Sequence, residues 1–166
     1  MATIAERTWA AVQVGLPIGM SGLILDLHFW DGKAWQTKPP SVEAGSIIGV
    51  SAIGRNTGDP LASMTMNAVI DDPDGIQIAT ATETINWVGT GGEMVIVCKT
   101  ARATDTGKEG NYTAYIELIG RNTGTYVLKT WENKIATIGK AFPWLWIGIG
   151  GAALGGLILL APKKKD

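Results

Sequence analysis

An uncharged apolar run from Ala141 to Ala161, closed by Pro162 and three lysines, constrains this chain more than any other feature. As a helix it is long enough to cross a bilayer core of roughly 30 Å. Lys140 brackets it on one side and Lys163, Lys164 and Lys165 on the other, like anchors at two interfaces. Trp144 and Trp146 lie near its start, where indoles favour the headgroup level. Gly148, Gly151 and Gly155 form a stripe of small residues that includes a GxxxG match, which lets two helix backbones approach closely. The sequence therefore predicts one C-terminal transmembrane helix over 141–161, a basic tail over 162–166, and the lipid bilayer as a partner.

What precedes the run divides into an N-terminal segment, 1–21, and a body, 22–138. The body is long enough for one domain with its own core. The net charge of −1 gives no general basic character, so nucleic acid is not expected as a partner. A single cysteine, Cys98, excludes an intrachain disulfide and reads as a small buried residue of a strand. No secretory signal is read after Arg7, because Gln13, Gly15, Pro17, Gly19, Ser21 and Gly22 interrupt the uncharged stretch.

From Gly22 to Ile138 the residues alternate with a period of two. Leu23, Leu25, Leu27 and Phe29 fall on one face, with Ile24, Asp26, His28 and Trp30 on the other. Asp31-Gly32 supplies turn chemistry before Trp35, which predicts a hairpin. Met64, Met66, Ala68 and Ile70 alternate with polar neighbours, as do Tyr112, Ala114, Ile116 and Leu118. The last strand is expected within Thr125–Trp131, with another short run near Lys134–Ile138. About seven to nine short strands separated by Gly, Pro, Asn and Asp turns predict an all-β, antiparallel sandwich. The hexapeptide Ile53–Gly58 recurs as Ile119–Gly124. It reads either as an internal duplication or as two similar strand-end corners, with corners the expectation, because the flanking residues differ.

Asn56-Thr57-Gly58-Asp59, Asp72-Pro73-Asp74-Gly75 and Gly110-Asn111-Tyr112-Thr113-Ala114-Tyr115 carry a family resemblance. Over about residues 42–138 the chain resembles the immunoglobulin-like sandwich modules of microbial surface proteins, the CARDB type among them. The resemblance implies that the Asn-x-Gly corner ends a core strand, that Pro-Asp-Gly links two strands, and that Tyr112 is the corner tyrosine opening a late core strand. Ala114 stands where an antibody-type domain carries its second cysteine, so the likeness is one of architecture and carries no function.

No constellation of residues spells out a reaction. Asp71, Asp72 and Asp74 offer hard oxygens for calcium but lack EF-hand spacing, and Asp-Pro-Asp-Gly is also turn composition. His28, the only histidine, has no nucleophile elbow around it and cannot furnish a multi-histidine zinc set. No cofactor or metal is expected. Among the aromatic residues Trp30, Trp35, Trp87, Tyr115 and Trp131, the candidates for partner contact are Trp30, Trp35 and Tyr115.

The expected function is that of a non-enzymatic structural or interaction protein. It displays an Ig-like sandwich from a membrane and self-associates through the glycine stripe or its sheet edges, with a virion membrane as one setting. The alternative is a cell-surface module that recognises glycan or protein through exposed aromatics. Lys163–Lys165 favour a domain displayed outside the membrane, for which no export signal is read. Post-translational tail insertion would give the opposite arrangement, so the sequence leaves both orientations open.

Overall fold

The computed structural model describes residues 16–140; the predicted transmembrane helix and basic tail lie outside them. Among the described residues no helix is long and apolar enough to cross a membrane. The strands are β1 (Gly22–Trp30), β2 (Trp35–Gln36), β3 (Ser41–Glu43), β4 (Gly49–Asn56), β5 (Leu61–Asp71), β6 (Gln77–Val88), β7 (Glu93–Lys99), β8 (Gly110–Arg121) and β9 (Thr125–Gly139). They form a 4-stranded sheet of order β2-β1-β4-β7 and a 5-stranded sheet of order β3-β9-β8-β5-β6. All pairs are antiparallel except β3 with β9, which run parallel.

The core lies between the sheets and follows the period-two pattern. Met64, Met66, Ala68 and Ile70 on β5 face Val50 and Ala52 of β4 and Met94, Ile96 and Cys98 of β7, all within one apolar cluster. Tyr112, Ala114, Ile116 and Leu118 of β8 belong to the same cluster. Cys98 is buried, and the loss of solvent pushes its thiol pKa up to about 12. One long strand, β9, replaces the two short runs expected between Thr125 and Ile138, absorbing the change of phase through shifts in its register against β8.

β1 departs from the expected faces for a definable reason. Asp26 has φ 49, and the register against β4 shifts between Leu25 and His28. That bulge inserts a residue and reverses the side-chain phase. Ile24 therefore packs on the core before the bulge, while Leu27 and Phe29 do so after it; Leu23 is left exposed. The hairpin after β1 is the expected one. Gly32 takes φ 97, and Asp31 Oδ1 accepts the amides of Lys33 and Ala34 at 2.8 and 2.7 Å.

The repeated hexapeptides form two corners at one end of the sandwich. Asn56 donates to the carbonyl of Asp59 at 2.9 Å, and its Oδ1 accepts the amide of Gly58 at 3.1 Å. Asn122 accepts the amide of Ala62 at 2.7 Å and donates to the carbonyl of Pro60 at 3.1 Å. Both asparagines thus brace the short segment that enters β5. At the opposite end the Tyr112 hydroxyl donates to the Lys108 carbonyl, four residues upstream, at 3.0 Å. This is the tyrosine corner that the resemblance implied.

Candidate functional site

The solvent side of the four-stranded sheet is assembled from strict alternation. Along β7 the inward Met94, Ile96 and Cys98 are buried and the outward Glu93, Val95, Val97 and Lys99 are exposed. Register then lines the outward residues up across strands. Leu25 stands opposite Ile53, and Ile53 opposite Val95; His28 stands opposite Ser51, and Ser51 opposite Val97. Val95 and Val97 are 55% and 48% exposed, and Leu23 is 41% exposed, so this face carries apolar surface through its middle. One end of it is closed by an ion pair between Arg55 and Glu93.

The other end is an aromatic and cationic cluster. Trp35 pairs with Trp30, Trp30 with Gly49, and Gly49 with Lys99, so four strands contribute one row. The indoles of Trp30 and Trp35 meet edge to face, with centroids 5.3 Å apart. Lys99 Nζ lies 3.6 Å from the Trp30 ring centroid and 4.7 Å from that of Trp35. Gly49 is what makes the reach possible. A Cβ there would stand 2.6 Å from Lys99 Cγ and 2.7 Å from the Cys98 carbonyl oxygen. The bare backbone of β4 leaves a lane for the lysine stem, and the ammonium settles on the electron-rich indole faces.

The sequence-predicted contact residues separate in the fold. Trp30 is half-buried and Trp35 exposed, and both belong to this row. Tyr115 does not join them and is corrected: it is fully buried. It sits on β8, the middle strand of the five-stranded sheet, flanked in register by Val69 and Glu132. Trp131 packs on the core, 6.4 Å from Phe29. Trp87 is 86% exposed but stands near the end of β6, in the other sheet, with φ 56. Trp144, Trp146, Gly148, Gly151, Gly155, Lys163, Lys164 and Lys165, expected in the membrane anchor, lie outside the described residues. Sequence reading missed Gly49, Val95, Val97 and Lys99. The available signal was a predicted strand, Glu93–Lys99, whose solvent positions include two valines.

The acidic turn is organised around an ammonium. Asp72 Oδ1 accepts the amides of Asp74 and Ile76, both at 2.9 Å. Lys108 Nζ stands 2.5 Å from Asp72 Oδ2 and 2.7 Å from Asp74 Oδ2. Burial raises the Asp72 pKa, but the Lys108 hydrogen bond and the two amides outweigh it and hold the carboxyl below its ordinary value. No group of three or more acidic, histidine or cysteine side chains suited to a metal ion occurs among the described residues.

His28 and Ser51 are cross-strand neighbours beside Trp35, around a depression of about 230 Å³. The hydrogen bond of His28 Nδ1 is with the Asp26 carbonyl, at 2.9 Å, and not with a carboxylate that would orient it as a base. A second depression, of about 400 Å³, is lined by hydroxyls and amides of Ser63, Thr65, Thr84 and Asn86 together with Arg121.

The class these features define is an immunoglobulin-like β-sandwich. No family model matches the chain, and no curated protein matches it in sequence. Among solved structures it is similar to the C-terminal domain of Wzt, with a TM-score of 0.53 and 14% identity, covering 75% of this chain and 77% of that one. That likeness is one of fold alone. A CARDB domain from Pyrococcus furiosus, solved in complex with di-metal ions, has a TM-score of 0.44 at 12% identity, over 74% of this chain and 90% of that one. A GH3 β-glucosidase from Bifidobacterium adolescentis has a TM-score of 0.42 at 14% identity, and only 18% of that enzyme is covered.

Proposed function

We propose that this chain is a non-enzymatic structural or interaction protein, a β-sandwich held at a membrane by residues 141–161, that self-associates through its four-stranded sheet. The observation that carries the reading is the exposed apolar surface of that sheet, which runs out to its edge strand at Val95 and Val97. A contiguous apolar patch on a solvent face marks an interaction site, and an apolar edge strand invites pairing. The uncharged run, with Trp144 and Trp146 near its start and Lys163–Lys165 after its end, supports the membrane part of the reading.

Glycan recognition through Trp30 and Trp35 is the weaker reading. Sugar stacking needs an open indole face, and Lys99 already lies over both rings. Sedimentation equilibrium of the full-length chain in a mild detergent tests the proposal. Concentration-dependent association is expected, and Val95→Ser with Val97→Ser should weaken it about tenfold while the melting temperature holds, because both side chains are exposed. A chain that stays monomeric, or associates equally well with both serines in place, overturns it. Glycan binding lost in Trp35→Ala would favour the alternative.

A further inference from the structure

We propose that a second copy of the chain pairs with β7, antiparallel and centred on Ile96, joining two four-stranded sheets into one continuous sheet about a two-fold axis. This rests on the reading that the chain self-associates through that sheet, and it names the strand, the register and the partner.

β7 ends the sheet, and β4 is its one strand neighbour among the described residues. Backbone donors and acceptors along its other side are therefore available to a further strand. What distinguishes β7 from an ordinary edge is that it complements itself. Laid antiparallel against a copy about Ile96, Glu93 of each chain stands opposite Lys99 of the other, and Val95 stands opposite Val97. These four are the outward, exposed residues of the strand. The inward set matches too, with Met94 opposite Cys98 and Ile96 opposite itself. Because the contact is isologous, each favourable pair occurs twice. A slip of one residue would set outward side chains against inward ones. A slip of two would leave the charges facing valine or nothing.

The other sheet edges lack this property. β2 is two residues long and β3, Ser41–Glu43, is three. β6 is long, but between Gln77 and Val88 it carries Glu83 and no basic residue, so an antiparallel copy meets no opposite charge. In the isolated chain Glu93 and Lys99 have partners of their own, Arg55 and the indoles. Charges at a strand's ends also serve to repel edge pairing, so the experiment must separate protection from complementarity.

The full-length chain in mild detergent is used, with native Cys98 retained because it is buried. Two variants, Val95→Cys and Val97→Cys, one of them carrying a size tag, are mixed and oxidised. The 95–97 disulfide should exceed the 95–95 and 97–97 products about tenfold, since directly opposite residues approach to disulfide range and diagonal ones do not. Adding Glu93→Lys to both partners, or Lys99→Glu to both, should suppress the product. Combining one chain carrying Glu93→Lys with one carrying Lys99→Glu should restore it, because every cross-strand pair is again of opposite sign. Thermal melts of each variant confirm that the fold survives. Equal yields of all three disulfides, or charge reversals without effect, overturn the register. If sedimentation shows association and the 95–97 product does not form, this inference fails alone; if the chain is monomeric, the functional reading fails with it.

Discussion

The ammonium of Lys99 stands 3.6 Å from the centroid of Trp30, two strands away, across a lane that Gly49 keeps open. The contact links the edge strand β7 to the indole pair of β1 and β2 and sets a cation against their rings. Lys99→Met keeps the stem and removes the charge. It should cost about 0.5–1 kcal/mol and alter the near-ultraviolet dichroism of the indoles. Gly49→Ala should cost more, about 1–3 kcal/mol, because the new Cβ meets the Cys98 carbonyl and the lysine stem together. Urea melts followed by tryptophan fluorescence measure both.

The Asp72 carboxylate ties stability to pH with a definite sign. Its native pKa lies below the unfolded one, so the stabilisation is present above about pH 4, the unfolded carboxylate's value, and is lost as pH falls through the lower native value. Asp72→Asn should cost about 1–3 kcal/mol at neutral pH and flatten the acid limb of the stability profile. Denaturant melts from pH 7 down to about pH 3 check it.

The two asparagine corners are not equivalent. Asn56 is fully buried and donates to the carbonyls of both Asp59 and Gly89, whereas Asn122 is exposed. Asn56→Ala should therefore cost about 2–3 kcal/mol and Asn122→Ala about 1 kcal/mol, measured by chemical denaturation. Tyr112→Phe, which leaves the Lys108 carbonyl without its donor, should fall near the smaller value.

Cys98 gives a probe of global opening. Burial among Val50, Met94 and Ile96 raises its pKa to about 12, so almost no thiolate is present in the folded state at neutral pH. Labelling by a thiol reagent should be slow and should accelerate with urea in step with unfolding. Rapid labelling of the native chain would contradict the burial.

The parts of the fold legible in the sequence are those where one face of a strand is buried and the other wet. The alternation at Met64–Ile70 and Tyr112–Leu118 gives both inward faces, and Tyr112 takes the corner position its surroundings imply. The bulge at Asp26 was not legible, because a left-handed aspartate leaves no mark in a hydrophobic pattern and yet reverses every face assignment before it. Tyr115 misled for a related reason. It alternates away from the core as a surface residue does, but it stands on the central strand of a sheet whose outer face there is buried. The Trp30–Gly49–Lys99 row joins positions far apart in the chain, and only register brings them together.

Hydrogen exchange of the full-length chain in detergent, compared between dilute and concentrated samples, tests assembly through the four-stranded sheet most directly. The edge strands β7 and β6 serve as probe and control. Amides across Glu93–Lys99 should gain protection as the chain associates, while those across Gln77–Val88 stay unchanged. Protection gained at β6 instead, or at neither strand while the chain associates, would contradict it.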